Sequence, residues 1–319
     1  MATALHAIET STRLADPLTG ETAGHVCAEI AERLAASPAA LTLNLEDVRA
    51  VDVVGLAALL QAVRRADALG CRVLVQPSAA VHRALLNSGL LDDVPLDLPA
   101  LSVPALMSGT GAHPEAARFV ATARRIGLRQ PRWEDLGLFE RWAADATLDE
   151  MVGSHLLYLC RHLGPYHPDV VAHVMYDPTA LTLLIQPRDS EVAPVGFVRL
   201  YGINLAERFA FLETAVADHR SARAGWGVEA SRLLLAYAMD ALELTRIEAK
   251  VYGYNVLSAN ALRRNGFREE GVLRQTRHWD GRQWDILVFG ILEDELRAQR
   301  ARESYPYMGF WPSRLDARA

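Results

Sequence analysis

The chain has 319 residues, half of them apolar, with 33 Lys and Arg against 39 Asp and Glu and a formal net charge of -6. That is enough apolar chain for a core in each of two ordinary domains, and the acidic balance offers no general attraction to nucleic acid or to an anionic membrane. The longest apolar run, Val51 to Leu60, is too short for a bilayer, and Cys27, Cys71 and Cys160 stand far apart with no CxxC pair. With no basic segment leading into an apolar one at the start, these features predict a cytoplasmic protein without membrane or nucleic-acid partners and without a disulfide frame.

Residues 1–100 alternate between helix-like and strand-like segments. Thr22 to Ala36 carries apolar residues at helical spacing, Leu41 to Leu45 is a short strand, and Val53 to Leu69 is helical up to Gly70. Arg72 to Gln76 is a strand closed by Pro77, and Ala79 to Asn87 is a short helix before Ser88-Gly89. Strands separated by helices of this length need crossovers, which predicts a mostly parallel sheet. Asn44-Leu45, Val51-Asp52-Val53-Val54-Gly55-Leu56, Gly70-Cys71-Arg72-Val73 and Ser88-Gly89-Leu90 resemble a STAS domain, the fold of the anti-sigma-factor antagonists, over about residues 4–98. In regulatory members the turn after the Asp holds a serine that a kinase phosphorylates. Both positions here, Val53 and Val54, lack a hydroxyl. The resemblance then implies a module that binds a protein partner or ligand without this phosphorylation, self-associates, or packs as a structural appendage.

Residues 101–124, with Pro104, Ser108-Gly109-Thr110-Gly111 and Pro114, read as a linker, and Ala116 to Arg125 is predicted helical. Helical sequence follows Trp142, and then two neighbouring strands are predicted at Ala180 to Gln186 and Val195 to Tyr201. Ahead of these strands, within Met151 to Asp177, His155, His162, His167 and His173 have no acidic or cysteine companion at ligand spacing, so they read as hydrogen-bonded groups lining a loop, not as zinc ligands. The strand Phe209 to Val216 leads into Arg223-Ala224-Gly225-Trp226-Gly227-Val228 and a long helix. A glycine turn at a helix N-terminus exposes unpaired amides to which a pyrophosphate can bind, although a lone Gly-x-Gly is weak evidence. A second strand, Arg246 to Tyr252, and a hairpin turning at Asp280-Gly281 follow. The tail, residues 297–319, holds Tyr305, Tyr307, Phe310 and Trp311, which are costly to leave in water and are expected to pack on a surface.

Gly225-x-Gly227-x-Glu229, Asn255-x-x-Ser258, Gly266-Phe267, Glu270-Gly271-x-x-Arg274, Asp280-Gly281 and Asp285, in that order, resemble the acetyl-CoA-binding half of a GNAT acetyltransferase. Within that superfamily they look most like the branch that includes the ribosomal-protein N-terminal acetyltransferases. Leu128-Arg129 and Leu136 to Ala144 resemble the family's opening strand and first helix, so the resemblance spans about residues 125–295. The expected layout is α/β with two domains. A STAS-like, mostly parallel sheet with helices occupies 1–100, a linker 101–124, a GNAT-like mixed twisted sheet flanked by helices 125–296, and an aromatic tail 297–319.

This resemblance implies direct transfer from acetyl-CoA, or another short acyl-CoA, to a primary amine of a small molecule or protein, without a metal. It implies that Val216, Arg220, Arg223, Ala224, Gly225, Trp226, Gly227, Val228, Asn255, Ser258, Asn260 and Arg263 hold the co-substrate. An ammonium must lose a proton before it attacks, and Glu213, flanked by Leu212 and Ala215, is the first candidate base. Ser258 is the candidate proton donor to the departing thiolate, with helix capping as its alternative; Tyr252 and Tyr254 are alternative donors. Three positions depart from the family pattern. The usual tyrosine is Leu262, Ala222 stands where an arginine or glutamine is usual, and Arg277 replaces a glutamate. The last departure makes neighbouring His278 an alternative base. A competing reading is a regulatory protein in which the second half senses acyl-CoA and the first binds a partner.

Overall fold

In β2 (Ala40–Leu45) the odd-numbered Leu41, Leu43 and Leu45 are buried while the residues between them are half-exposed, a period of two that gives a strand with one face in a core. This strand is the centre of the first of two units, divided between residues 116 and 117, in a computed structural model that describes residues 9–14, 17–36, 38–97, 119–188, 192–217, 225–302 and 308–309. β1 (Glu9–Arg13), β2 and β3 (Arg72–Pro77) form a parallel sheet in that order. The crossovers are α1 (Ala23–Ala35) and α2 (Val53–Ala68), and α3 (Ala79–Asn87) follows β3.

Asp52 starts α2. One carboxylate oxygen accepts the Gly55 N–H at 2.8 Å and the other the Gly20 N–H at 2.9 Å, so a single side chain caps the helix and fixes the loop beside it. Val53 and Val54 are fully buried, and a Cβ on Gly55 would overlap the Leu18 carbonyl. The turn is therefore packed shut with apolar atoms.

The second unit is built on one nine-stranded sheet in the order β10-β11-β9-β8-β7-β6-β5-β4-β12. Its strands are β4 (Ala121–Thr122), β5 (Ile126–Arg129), β6 (Leu181–Pro187), β7 (Gly196–Asn204), β8 (Phe209–Val216), β9 (Arg246–Tyr252), β10 (Arg268–Trp279), β11 (Arg282–Leu292) and β12 (Met308–Gly309). Every neighbouring pair is antiparallel except β8 and β9. The helices α4 (Leu136–Ala143), α5 (Ala146–Val152), α6 (His155–Leu163) and α7 (Pro168–Val171) pack Phe139, Trp142, Leu148, Leu156 and Val170 against Leu184, Phe197 and Ala215. The opposite face carries α8 (Trp226–Ala241); α9 (Val256–Arg264) and α10 (Glu293–Arg302) complete the unit. A buried Arg129–Asp135 pair, with bonds of 2.6 and 2.8 Å, locks β5 to the entrance of α4.

Three sequence expectations are corrected. Of the segment predicted as a helix, Ala116 to Arg125, the described part contains strand β4: Ala121 and Thr122 pair with Leu128 and Gly127, and this ladder outweighs the helix preference of alanine and arginine. The sheet thus begins inside residues 101–124, and of the tail Met308 and Gly309 join it by pairing with Thr122 and Ala121. Tyr305, Tyr307, Phe310 and Trp311 lie outside the described residues. Finally, His155, His162 and His173 stand on helical backbone and not on a loop, while His167 lies in the bend that caps α7. His162 Nδ1 donates to the Tyr158 carbonyl at 2.9 Å, and His173, in the π turn Ala172–Tyr176, donates to the Asp169 carbonyl at 2.8 Å. Among the described residues no helix is long and apolar enough to cross a membrane, and no group of three His, Cys, Asp or Glu could hold a metal ion.

Candidate active site

The parallel ladder between β8 and β9 lasts three residues, Phe209 to Phe211 against Arg246 to Glu248. Beyond it the two strands part, and β8 continues to Val216 with β7 alone as its partner. Side chains alternate along β8, so the two walls of this opening differ. Thr214 and Val216 face α8: the Thr214 hydroxyl lies 2.8 Å from that of Ser231, and a Cβ on Gly227 would stand 3.1 Å from Val216 Cγ2. Glu213 and Ala215 face the side covered by α4 to α7.

The N-terminus of α8 has the features of an anion site. Gly225, at φ +80°, occupies the left-handed region that favours glycine, no side chain among the described residues caps the turn, and the first intrahelical bond runs from Glu229 N–H to the Gly225 carbonyl. The amides of Trp226, Gly227 and Val228 precede that bond, at the positive end of the helix dipole. Glu229 points back and pairs with Arg125 at 2.8 Å, while the buried Asn265 donates to the Val228 carbonyl at 3.2 Å. Together they hold the turn against the sheet. Arg220, Arg223 and Ala224, together with Ala222, lie outside the described residues.

Glu213 stands opposite Arg199 in the β7–β8 ladder. Ser154, 3% exposed, caps α6 by accepting the Leu157 N–H at 3.2 Å, and its hydroxyl lies near enough to the Glu213 carboxyl to favour the charged form. One carboxyl oxygen, Oε1, is buried without a partner. Burial drives the Glu213 carboxyl above the ordinary carboxylate range, and Ser154 and Arg199 pull it back only in part. A carboxyl so placed is a competent proton acceptor near neutral pH.

Tyr201 stacks on Phe211 with ring centres 5.4 Å apart, and its phenol is raised first by burial and then by Glu213. Tyr252 ends β9 with its hydroxyl against Gly153, and burial raises its phenol too, so at neutral pH it keeps a hydrogen to donate. Around it Tyr254 stacks on Trp279 at 4.4 Å and on Tyr252 at 5.4 Å, with Trp284 edge-on at 5.3 Å. The Tyr254 hydroxyl donates to the Glu150 carbonyl at 2.6 Å.

Several sequence candidates fall elsewhere. His278 pairs with Gln283 on β10 and is exposed. Its neighbours Arg277 and Trp279 face the tyrosines, so alternation turns His278 to the other side of the sheet, away from Glu213. Ser258 is not a helix cap. Asn255 caps α9, its side-chain oxygen accepting the Ser258 N–H at 3.0 Å, and Ser258 is a half-buried residue of the first turn. Asn255 is buried and its amide donates to the Met151 carbonyl at 2.9 Å, so both ends of the side chain are spent on joining α5 to α9. Asn260 and Arg263 are exposed, and Arg263 is engaged by Glu269 at 2.7 Å and by the Phe289 ring at 5.3 Å. Two open concavities, one lined by Glu207, Phe209 and Glu248 and the other by Arg263, Arg268 and Arg302, lie at the opening ends of β8 and β9 and along α10, away from Glu213.

Sequence reasoning passed over Ser154, Arg199 and Tyr201. An arginine inside the apolar run Phe197 to Leu200, and a serine directly after a glycine at a helix start, were the available signals.

Comparison with known proteins agrees with this architecture. Residues 125–268 match the family model described as an acetyltransferase (GNAT) domain, and residues 7–99 match that of the STAS domain. The uncharacterized N-acetyltransferase p20 of Bacillus licheniformis is 38% identical over 71 residues, 22% of this chain and 40% of its own length. The uncharacterized N-acetyltransferase YoaA of Bacillus subtilis is 37% identical over the same shares. The chain thus spans about two fifths of the length of the curated relatives it matches. A spermidine N-acetyltransferase from Vibrio cholerae, solved in complex with CoA and spermine, is 19% identical with a TM-score of 0.46, over 54% of this chain and 98% of that one. The ribosomal-protein branch does not emerge from these matches; what they give is a STAS domain at residues 7–99 and an acetyltransferase (GNAT) domain at residues 125–268.

Proposed function

We propose that the second unit transfers an acyl group from acetyl-CoA, or another short acyl-CoA, directly to a primary amine. The observation that supports this most is the division of labour along β8. A glycine-started helix end lies against one face of the strand, a buried carboxyl lies on the other, and the parting of β8 from β9 connects them. A pyrophosphate suits the helix end because Gly225 presents no side chain there, while Gly227 lets the helix pack closely on Val216.

In this reading Glu213 takes the proton of the ammonium, and the freed amine attacks the thioester carbonyl. The tetrahedral intermediate collapses with loss of the thiolate, and Tyr252 or Ser258 supplies the proton that the sulfur needs. The protons balance: the ammonium gives one to Glu213, the cationic nitrogen of the intermediate gives a second that restores the hydroxyl which protonated the sulfur, and the sum is an amide, a free thiol and one proton released from Glu213. The first unit serves as an interaction or structural module, and the buried Val53-Val54 turn supports a role that does not depend on phosphorylation there.

Titration calorimetry with acetyl-CoA, followed by free-thiol release against pooled amines and N-terminal peptides, tests the reading. Binding with thiol release is the expected result. Binding with no release from any pool would favour an acyl-CoA sensor, and absence of binding would remove the cradle.

A further inference from the structure

Buried polar atoms without a partner are uncommon, and each one in a native structure calls for an explanation. In the second unit two of them are donors on one face of the β10–β11 hairpin: Arg277 Nε and Trp284 Nε1, whose residues stand directly opposite in the ladder. Neither atom can accept a hydrogen bond, so what is missing is an acceptor.

The register places these donors beside the candidate base. Arg277, Trp284, Ile286, Tyr252 and Glu213 lie on one face of the sheet, on strands that follow each other in the order β10, β11, β9, β8. Arg277 does not stay over its own strand. Its guanidinium carbon lies 4.7 Å from the centre of the Tyr252 ring, so the charge sits over β9, the strand adjacent to that of Glu213. Two phenols lie between them: Glu213 acts electrostatically on Tyr201, Arg277 on Tyr252, and Tyr252 in turn on Tyr201.

The surroundings leave the guanidinium available. Among the described residues no carboxylate forms an ion pair with Arg277; the acid that acts on it, Asp149, is already bonded to Arg161 at 3.0 Å. The Tyr254 hydroxyl, which has given its own hydrogen to the Glu150 carbonyl, lies near enough to favour the charged guanidinium and carries no charge that would neutralise it. The Tyr252 face under the guanidinium, and the cluster of Tyr254, Trp279 and Trp284 beside it, lower the local polarity and strengthen any charged hydrogen bond made there.

We propose that Arg277 and Trp284 bind a carboxylate carried by the acceptor, so that the substrate is a short amine bearing an acid group, with its nitrogen at Glu213 and its carboxylate over Tyr252. Glu213 and Tyr252 lie past the last paired residues, Phe211 and Glu248, where the strands have parted, so the gap between them is wider than the ~5 Å of a paired ladder and the side chains take up a part of it. That span suits an amine and a carboxylate a few bonds apart, as in an α-amino acid. Arg277 offers the flat pair of donors that a carboxylate accepts, and Trp284 adds a third from the side. A polycation would meet a positive charge at the same place.

This inference rests on the acyl-transfer reading, and its test separates the two. The full chain is given acetyl-CoA with each α-amino acid, with the corresponding carboxamides and with simple alkylamines, and thiol release is followed. The acids should exceed their carboxamides by tenfold or more in kcat/KM, with the difference carried by KM. Arg277→Gln should bring that ratio close to one, Arg277→Lys should restore part of it, and Trp284→Phe should raise KM for the acids severalfold, with circular dichroism confirming the fold of each variant. Equal use of acids and carboxamides, or preference for alkylamines, would overturn the carboxylate site and leave acyl transfer standing. Acetyl-CoA binding without release from any of the three sets would overturn both.

Discussion

Glu213 and Arg199 face each other across the β7–β8 ladder, each with a buried polar atom, Oε1 and Nε, that meets no partner. A carboxylate satisfied by both Ser154 and Arg199 would be a poor base. Here only part of that stabilisation is realised, because Arg199 is also drawn toward Asp177, 3.9 Å away. Glu213→Gln should therefore lower turnover by about 100-fold or more, the usual scale of a lost general base, with acetyl-CoA affinity almost unchanged. Thiol release under saturating acetyl-CoA measures it.

The same carboxyl sets a pH dependence with a definite sign. Its folded pKa is raised above the unfolded value, chiefly by burial. Its contribution to stability is therefore complete below the unfolded pKa and is lost as pH rises through the folded one. Relative to the wild type, Glu213→Gln should be more stable at pH 7 than at pH 4, as read from denaturant titrations at the two values. The acidic limb of the kcat/KM profile should lie above the ordinary carboxylate range and vanish in the variant.

Gly225 tests the cradle. At φ +80° a β-branched side chain is strained by roughly 1–2 kcal/mol, and its bulk would stand at the helix end where the ligand is expected. Gly225→Val should abolish measurable acetyl-CoA binding in calorimetry while the protein still unfolds cooperatively. Retained affinity would move the pyrophosphate elsewhere.

Gly153 lies where α5 ends, at φ +62°, and a Cβ there would overlap the Tyr252 hydroxyl. Gly153→Ala must push Tyr252 or the following Ser154 out of place. A destabilisation of about 1–3 kcal/mol is expected, which for a unit of this size lowers Tm by roughly 2–4 °C per kcal/mol, together with loss of turnover. A normal Tm with normal activity would show that the contact yields freely.

Asn255→Ala removes a helix cap and leaves the Met151 carbonyl without its donor. The expected cost is about 1–3 kcal/mol in chemical denaturation, whether or not acetyl-CoA is present.

The elements themselves were readable because their periods are strong. Leu41, Leu43 and Leu45 alternate, the glycine turn stands between a strand and a long helix, and Asp280-Gly281 marks the hairpin. What failed was parity and partnership. His278 and Arg277 are adjacent in sequence but point to opposite sides of a strand, and the bulge between Leu273 and Arg277, with Gln275 at φ +53°, shifts the register upstream of both. Ser258 lost the capping role because Asn255 reaches the helix end first. β4 was hidden because two residues of alanine and threonine become a strand only when β5 and β12 supply ladders on either side. Arg199 was missed because a buried charge within an apolar strand has no local signature until its partner across the ladder is known.

From Glu213 to Val216 is an odd number of steps, and that is why the acid and the neighbour of the glycine helix occupy opposite sides of β8. Deleting or inserting one residue between them would turn both to the same side, whatever the residue's identity. The stretch is in effect a ruler with a two-residue unit, and the donor and acceptor halves of the site stay in phase only when its length changes by whole units.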